Sequence, residues 1–320
     1  MQDEKVVISK TPLRVSFVGG GTDMPYFYNK YSGATISCAI DKYVYVTVKF
    51  HTDLTHKYRL NYSVTENANS VEKIKNLRIK NVLKFFRIKK PIYINTFSDL
   101  PANSGLGSSS SFTVGLVNAL AKLINKKISK IQLAEIAYKI EKKITKDSLG
   151  KQDHYISVFG GLKLIKYNQT GLNIKNLKIK KENFFFKKLF LVWTGTSRQS
   201  VSVLIDQKRN KLKNINDLLN LNNVTKEFYI CLKNLDIIKM GQLINKAWKI
   251  KKKFSKLVTN KQIDNLYKLI INSGVYGAKL LGAGNGGFML VLANNFQLKE
   301  INIKKKILNF SISKNGSCII

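Results

Sequence analysis

Residues 101–111 read Pro101-Ala102-Asn103-Ser104-Gly105-Leu106-Gly107-Ser108-Ser109-Ser110-Ser111, and what flanks them decides the fold. Before them, Ile92-Tyr93-Ile94-Asn95-Thr96-Phe97 has the alternating apolar pattern of a strand. After them, Phe112, Leu116, Ala119, Leu120 and Leu123 recur at three- and four-residue spacing, the buried stripe of a helix. The stretch is therefore a strand, a small-residue loop and a helix start. Small residues let a backbone approach a ligand without Cβ clashes. A helix N-terminus offers unpaired N–H groups and a partial positive charge, which suits phosphate. The serine run adds hydroxyls able to cap the helix or to reach a metal ion. No Gly-Lys-Ser/Thr follows, so the loop is not a Walker A sequence.

Towards the N-terminus, Val6 to Val18 holds two apolar stretches broken at Lys10-Thr11-Pro12. The second delivers Arg14 on one face and runs into Gly19-Gly20-Gly21-Thr22-Asp23. Three glycines suggest backbone pressed against a partner, with Asp23 as an acceptor for hydroxyl groups. A tight turn capped by Asp23 is the plainer reading. Ile36 to Phe50 alternates, with Val44, Val46 and Val48 on one side, as a half-buried strand does. Asn61 to Lys90 is polar, lysine-rich and peripheral in character.

Towards the C-terminus, Ser129-Lys130-Ile131-Gln132 is a capping-box start for a helix reaching about Lys143, with Glu141 near its end. Gly150-Lys151-Gln152-Asp153-His154 is a glycine-led turn presenting an acid, and Gly160-Gly161 turns into the strand Leu162 to Tyr167. Asn168 to Asn183 reads as a domain joint, Phe184 to Trp193 as a strand, and Asp206 to Ser273 as three or more helices with solvated lysine faces. Arg198 stands out among few arginines in Thr194-Gly195-Thr196-Ser197-Arg198, as an anion contact or a surface ion pair. A last glycine cluster, Gly277 to Gly287, leads into the strand Phe288 to Leu292.

With 320 residues, 44% of them apolar, the chain can bury a sizeable core. It has neither an apolar run of membrane-spanning length nor a signal-peptide core near Met1 to Lys10, so cytoplasm is the expected compartment. Cys38, Cys231 and Cys318 are too scattered for a disulfide framework or a metal site. The three histidines, His51, His56 and His154, do not cluster with cysteine or carboxylates in sequence. A net charge of +36 invites a nucleic-acid reading. Yet only six of 55 basic residues are arginines, and the 49 lysines are spread over the whole chain. Base reading and bidentate phosphate clamps favour arginine, so a solvated lysine surface without a specific nucleic-acid site is expected.

Three stretches in order, Leu13 to Asp23, Pro101 to Ser111 with Gly150 to Asp153, and Gly277 to Phe288, resemble the motifs of the GHMP kinase superfamily. Gly19 to Asp23 and Thr194 to Arg198 resemble its heptose-kinase branch. Galactokinases carry Glu and His where Gly20 and Gly21 stand. Asn285 occupies a usual glycine position; asparagine tolerates left-handed angles. The resemblance implies an α+β fold, with an N-terminal domain like domain 2 of ribosomal protein S5 (1–183) and a ferredoxin-like C-terminal domain (184–320). It implies ATP held by Pro101, Asn103, Ser104, Gly105, Leu106, Gly107, Ser108, Ser109 and Ser110. It implies Mg²⁺ on Ser109 and Glu141, Asp153 as general base, and Arg14 beside it steadying the transferred phosphoryl group. Gly20, Gly21, Thr22, Asp23, Arg198, Gly284 and Gly286 are the implied acceptor contacts. The implied reaction phosphorylates the anomeric hydroxyl of a heptose 7-phosphate, serving nucleotide-activated heptose and surface polysaccharide. An unphosphorylated sugar such as fucose is the alternative acceptor, and a non-catalytic nucleic-acid-binding protein on this fold is the alternative outside enzymes. No membrane partner is implied; a homodimer is compatible with the pattern.

Overall fold

The computed structural model describes residues 5–52, 55–197, 201–299, 301 and 306–320. The chain opens with β1 (Val6–Val18), α1 (Pro25–Tyr31) and β2 (Gly33–Phe50). Then come β3 (Tyr58–Asn61), β4 (Thr65–Ala68), a 3₁₀ turn (Val71–Lys73), α2 (Leu77–Phe86) and β5 (Ile92–Ser98). Three helices follow, α3 (Ser108–Leu123), α4 (Lys130–Ile144) and α5 (Gln152–Phe159), before the hairpin β6 (Leu162–Asn168) and β7 (Gly171–Asn176). The second half runs α6 (Glu182–Phe186), β8 (Leu189–Trp193), α7 (Val201–Arg209), α8 (Ile215–Asn234), α9 (Ile237–Lys252) and α10 (Lys261–Asn272). It continues through β9 (Gly277–Leu280), β10 (Phe288–Leu292), α11 (Asn295–Lys299) and β11 (Ile307–Asn309) to β12 (Cys318–Ile319).

The first sheet has the order β12-β1-β2-β5-β3-β4. At 18 residues β2 is long enough to take two partners along one edge: β5 against Val44–Phe50 and β6 against Gly33–Cys38. The sequence break at Lys10-Thr11-Pro12 does not end β1. A register shift between Pro12 and Arg14 absorbs the proline, which has no N–H for the ladder. The second sheet, β11-β8-β10-β9, is antiparallel throughout. Strand order 4-1-3-2 within a βαββαβ unit is ferredoxin-like, with α7 to α10 forming the first crossover. This is the α+β architecture expected of the chain.

Two local expectations need correcting. The polar stretch 168–183 is not a bare joint, because Gly171–Asn176 pairs with β6 as a hairpin strand. Phe184 to Trp193 is not one strand: α6 takes its beginning and buries Phe185 and Phe186, and β8 starts only at Leu189. Phe17 of β1 joins the halves, its ring centroid 6.0 Å from Phe185 and 5.8 Å from Phe228 of α8. The last strand, β12, returns to pair with β1, and Ile312 bridges to Ile40, so residues beyond β11 belong to the first sheet. This packing sets the N-termini of α3 and α5 and the glycine turn after β9 around one cleft.

Candidate active site

The loop 101–107 delivers α3 into the cleft. Gly107 occupies the N-cap at φ 75°, where no side chain caps the helix. The first α-helical bond runs from Ser111 N–H to Gly107 O (2.9 Å), leaving the preceding N–H groups at Ser108, Ser109 and Ser110 for a ligand. Asn103, Gly105, Gly107, Ser108, Ser109 and Ser110 all line the cleft. Pro101, Ser104 and Leu106, also expected to bind nucleotide, do not. Leu106 is fully buried in the core, its carbonyl accepting Arg14 N–H (2.9 Å). Ser104 is fully buried; its carbonyl accepts Phe288 N–H (3.0 Å), and its Oγ has no partner among the described residues. Ser104 and Leu106 support the loop from behind, whereas Pro101 is exposed.

Asp153 stands in the first turn of α5, where the helix dipole favours an anion. Arg14, 5% exposed, grips it in bidentate fashion: Nε to Oδ1 at 2.7 Å and an Nη to Oδ2 at 2.5 Å. The other Nη donates to Gly105 O at 2.6 Å, so one guanidinium spans acid and loop. Asp23 lines the same cleft while accepting N–H bonds from Gly21 (2.9 Å) and Gln152 (3.0 Å). Burial raises its pKa despite those bonds, and the charge of Asp153 adds to the rise. Gly150 leaves no room for a Cβ beside the Asp23 carboxylate. Gly20 and Gly21 line the cleft; a Cβ at Gly20 would sit in ordinary contact with Ser16 Oγ at 3.7 Å, whereas one at Gly21 would press on Leu218 and Phe254 at 3.2 Å. Thr22 departs from expectation. It is fully buried, and its hydroxyl is spent on Gly19 O (2.8 Å) and the Ala34 backbone.

Glu141, 1% exposed on α4, is the hub of the cleft's other wall. Oε1 accepts from Ser109 Oγ and from Arg78 Nε (2.7 Å); Oε2 accepts from Ser110 Oγ (2.8 Å) and lies 2.8 Å from His154 Nε2. Burial would raise its pKa, but the His154 hydrogen bond, the Arg78 charge and Ser109 outweigh that and hold it well below the carboxylate range. Sequence reasoning misses Arg78 and His154. Arg78 belongs to the stretch read as peripheral, and its rarity among the basic residues is the available signal. His154 Nδ1 is buried without a hydrogen-bond partner among the described residues, so Glu141 takes the ring's one hydrogen bond there, while Tyr138 meets the ring edge to face at 5.7 Å. A divalent cation such as Mg²⁺ takes few protein ligands, all oxygens, beside phosphate and water. Ser109 Oγ and Glu141 Oε1 fit that demand. No group of three or more His, Cys, Asp or Glu gathers for a metal among the described residues.

The turn after β9 closes the cleft with Gly282, Ala283, Gly284 and Gly286. Asn285 adopts φ 64°, donates its N–H to Val258 O (2.8 Å) and receives Asn260 Nδ2 on its side-chain oxygen (3.0 Å). Arg198 lies outside the described residues. Three lysines contradict the reading of lysine as solvated surface, among them Lys163 of β6, buried and bonded to Asn176 Oδ1. Lys279 of β9 is buried and donates to Ser16 O (3.0 Å) and Phe17 O (2.9 Å) of β1. Lys251 of α9 lines the cleft and donates to Gly282 O. Lys251 continues the buried Ile244–Ala247 stripe by four residues, a periodic signal the sequence contains.

Comparison with known proteins matches this arrangement. Residues 71–161 match the GHMP kinases N terminal domain, and residues 228–301 match the GHMP kinases C terminal domain. The chain is 29% identical to the D-glycero-alpha-D-manno-heptose 7-phosphate kinase of Campylobacter jejuni, covering 98% of both chains. It is 26% identical to the galactokinase of Pyrococcus furiosus, covering 91% of this chain and 90% of that one. A solved D-glycero-D-manno-heptose 1-phosphate kinase from Bacteriodes thetaiotaomicron superposes with a TM-score of 0.79 at 21% identity, covering 98% of each chain. With the loop, the Arg14–Asp153 pair and the glycine turn meeting in one cleft between two matched domains, the chain belongs to the GHMP kinase family, phosphotransferases that use ATP as phosphate donor.

Proposed function

We propose that this kinase transfers the γ-phosphoryl group of ATP to the anomeric hydroxyl of D-glycero-D-manno-heptose 7-phosphate, giving the 1,7-bisphosphate and ADP. The observation that carries the reading is the Arg14 bridge, which couples the Asp153 carboxylate to the carbonyl of Gly105 in the phosphate loop. A base for the acceptor and a cradle for the donor are thereby held at fixed separation. The hydroxyl proton passes to Asp153, the new P–O bond forms at the anomeric oxygen, and the bond to ADP breaks. The α3 N-terminus and Arg14 face the charge on the transferred group, so rate comes from positioning and electrostatics. Mg²⁺ on Ser109 and Glu141 would neutralise phosphate charge. Asp23, Gly284 and Gly286 would hold the sugar, and Arg198 its terminal phosphate. The choice of a heptose phosphate rests on the full-length likeness to the Campylobacter jejuni enzyme and on the absence of side chains at Gly20 and Gly21 in the cleft wall. Product would feed nucleotide-activated heptose.

The test is kcat/KM for heptose 7-phosphate, heptose 1-phosphate, free heptose, fucose and galactose. Heptose 7-phosphate is expected to lead, with phosphate appearing at the anomeric carbon. Faster turnover of free fucose or galactose would refute the acceptor.

A further inference from the structure

Lys251, Lys252 and Lys253 end α9 and follow it, and they part company. Lys252 Nζ pairs with Asp264 at 3.2 Å and Lys253 Nζ with Asp217 at 3.5 Å. Lys251 turns inward to the cleft, where no carboxylate pairs with it among the described residues. One of its three donors goes to Gly282 O. That anchor abuts the phosphate loop, since a Cβ on Gly282 would stand 2.6 Å from Gly105 Cα. The charged groups around Lys251 are Arg14 of β1, Asp23 of the following turn, Asp153 of α5 and Lys279 of β9. Burial, reinforced by Arg14, lowers the Lys251 pKa to about 8. A half-buried cation with two idle donors is best satisfied when an anion completes it. The α3 N-terminus and Arg14 favour that anion being phosphate, against the opposing charge of Asp23 and Asp153.

We propose that Lys251 is a catalytic residue, the phosphate-binding cation contributed by the C-terminal domain. Its ammonium takes an oxygen of either the phosphoryl group in transfer or the acceptor's own phosphate. The assignment rests on the kinase reading, and the experiment separates the two. Kinetics are measured for wild type, Lys251→Met and Lys251→Arg, with heptose 7-phosphate and free heptose, from pH 6.5 to 10. Methionine replaces the half-buried ammonium with an apolar chain of similar length, which keeps the packing of the stem along the cleft wall. Wild-type kcat/KM should fall as pH rises through about 8, where Lys251 loses its proton. Lys251→Met should lose about 10²-fold in kcat/KM at pH 7. Lys251→Arg should recover most of this and carry the alkaline limb upward, because guanidinium stays charged. An equal loss with both acceptors assigns Lys251 to the transferred group; a loss confined to heptose 7-phosphate assigns it to the acceptor's phosphate. A Lys251→Met loss below about threefold, or an alkaline limb unmoved in Lys251→Arg, overturns the proposal. If wild type prefers another sugar, the acceptor reading fails and Lys251 is judged on that sugar. If no sugar is turned over, Lys251 is judged on ATP affinity by calorimetry, which must fall about tenfold in Lys251→Met.

Discussion

At the scale of the residue, the cleft divides its charges by task. Asp153 is 25% exposed at the side chain and reaches a ligand, whereas Glu141 is enclosed by four donors. Two carboxylates on neighbouring helices thus have different opportunities: one can take a proton from an incoming hydroxyl, the other is suited to hold charge in place. Replacing Asp153 by Asn removes the acceptor for that proton but keeps the shape and the Arg14 contact at one oxygen. Turnover should fall by about 10²–10⁴-fold. ATP affinity by calorimetry should stay within about threefold, since the role proposed for the carboxylate is on the acceptor rather than on the nucleotide. A variant keeping more than about half of wild-type turnover would remove Asp153 from this role.

At the scale of the element, the sequence is most legible where period and punctuation agree. The capping box at Ser129 is formed as expected, with Ser129 Oγ accepting Gln132 N–H at 3.2 Å and Gln132 Oε1 accepting Ser129 N–H at 2.8 Å. The strand before the phosphate loop and the helix after it stand where alternation and 3–4 spacing put them. Legibility fails where tertiary contacts decide. Nothing local says that Phe185 and Phe186 pack as a helical turn, or that Arg78 reaches across to Glu141, 63 residues on. Thr22 is implied as a ligand contact by its place in the motif, and a motif position does not tell a cleft wall from the inside of a turn. Gly107 shows what the loop demands of its backbone. At φ 75° an L side chain is strained, and a Cβ would stand 3.1 Å from Arg14 Cγ. Gly107→Val should therefore cost about 1–3 kcal/mol in urea unfolding. It should cost far more in ATP affinity, because the branch fills space beside the α3 N-terminus. Unchanged affinity in a folded Gly107→Val variant would refute the phosphate cradle.

At the scale of the whole molecule, the +36 charge has no arginine-rich face to focus it. Paired surface lysines such as Lys246 with Glu227 (3.9 Å) and Lys84 with Glu72 (3.5 Å) add little stability individually. Such a surface should bind DNA or RNA weakly and with a steep salt dependence, as counterion release requires. Between two unrelated sequences at physiological salt, the affinity ratio should stay below about tenfold, roughly 1.4 kcal/mol. A larger ratio in filter binding or anisotropy would reveal a specific site.

The return of β12 to β1 gives the domains an order in space that differs from their order along the gene. A scission near residue 183 would leave an edge strand of the first sheet covalently attached to the second fragment. Such fragments could rebuild the enzyme only by lending that strand back, as a clasp rather than as two blocks set side by side. Their complementation should accordingly be lost when the second fragment is trimmed after β11, although every residue lining the cleft would still be present.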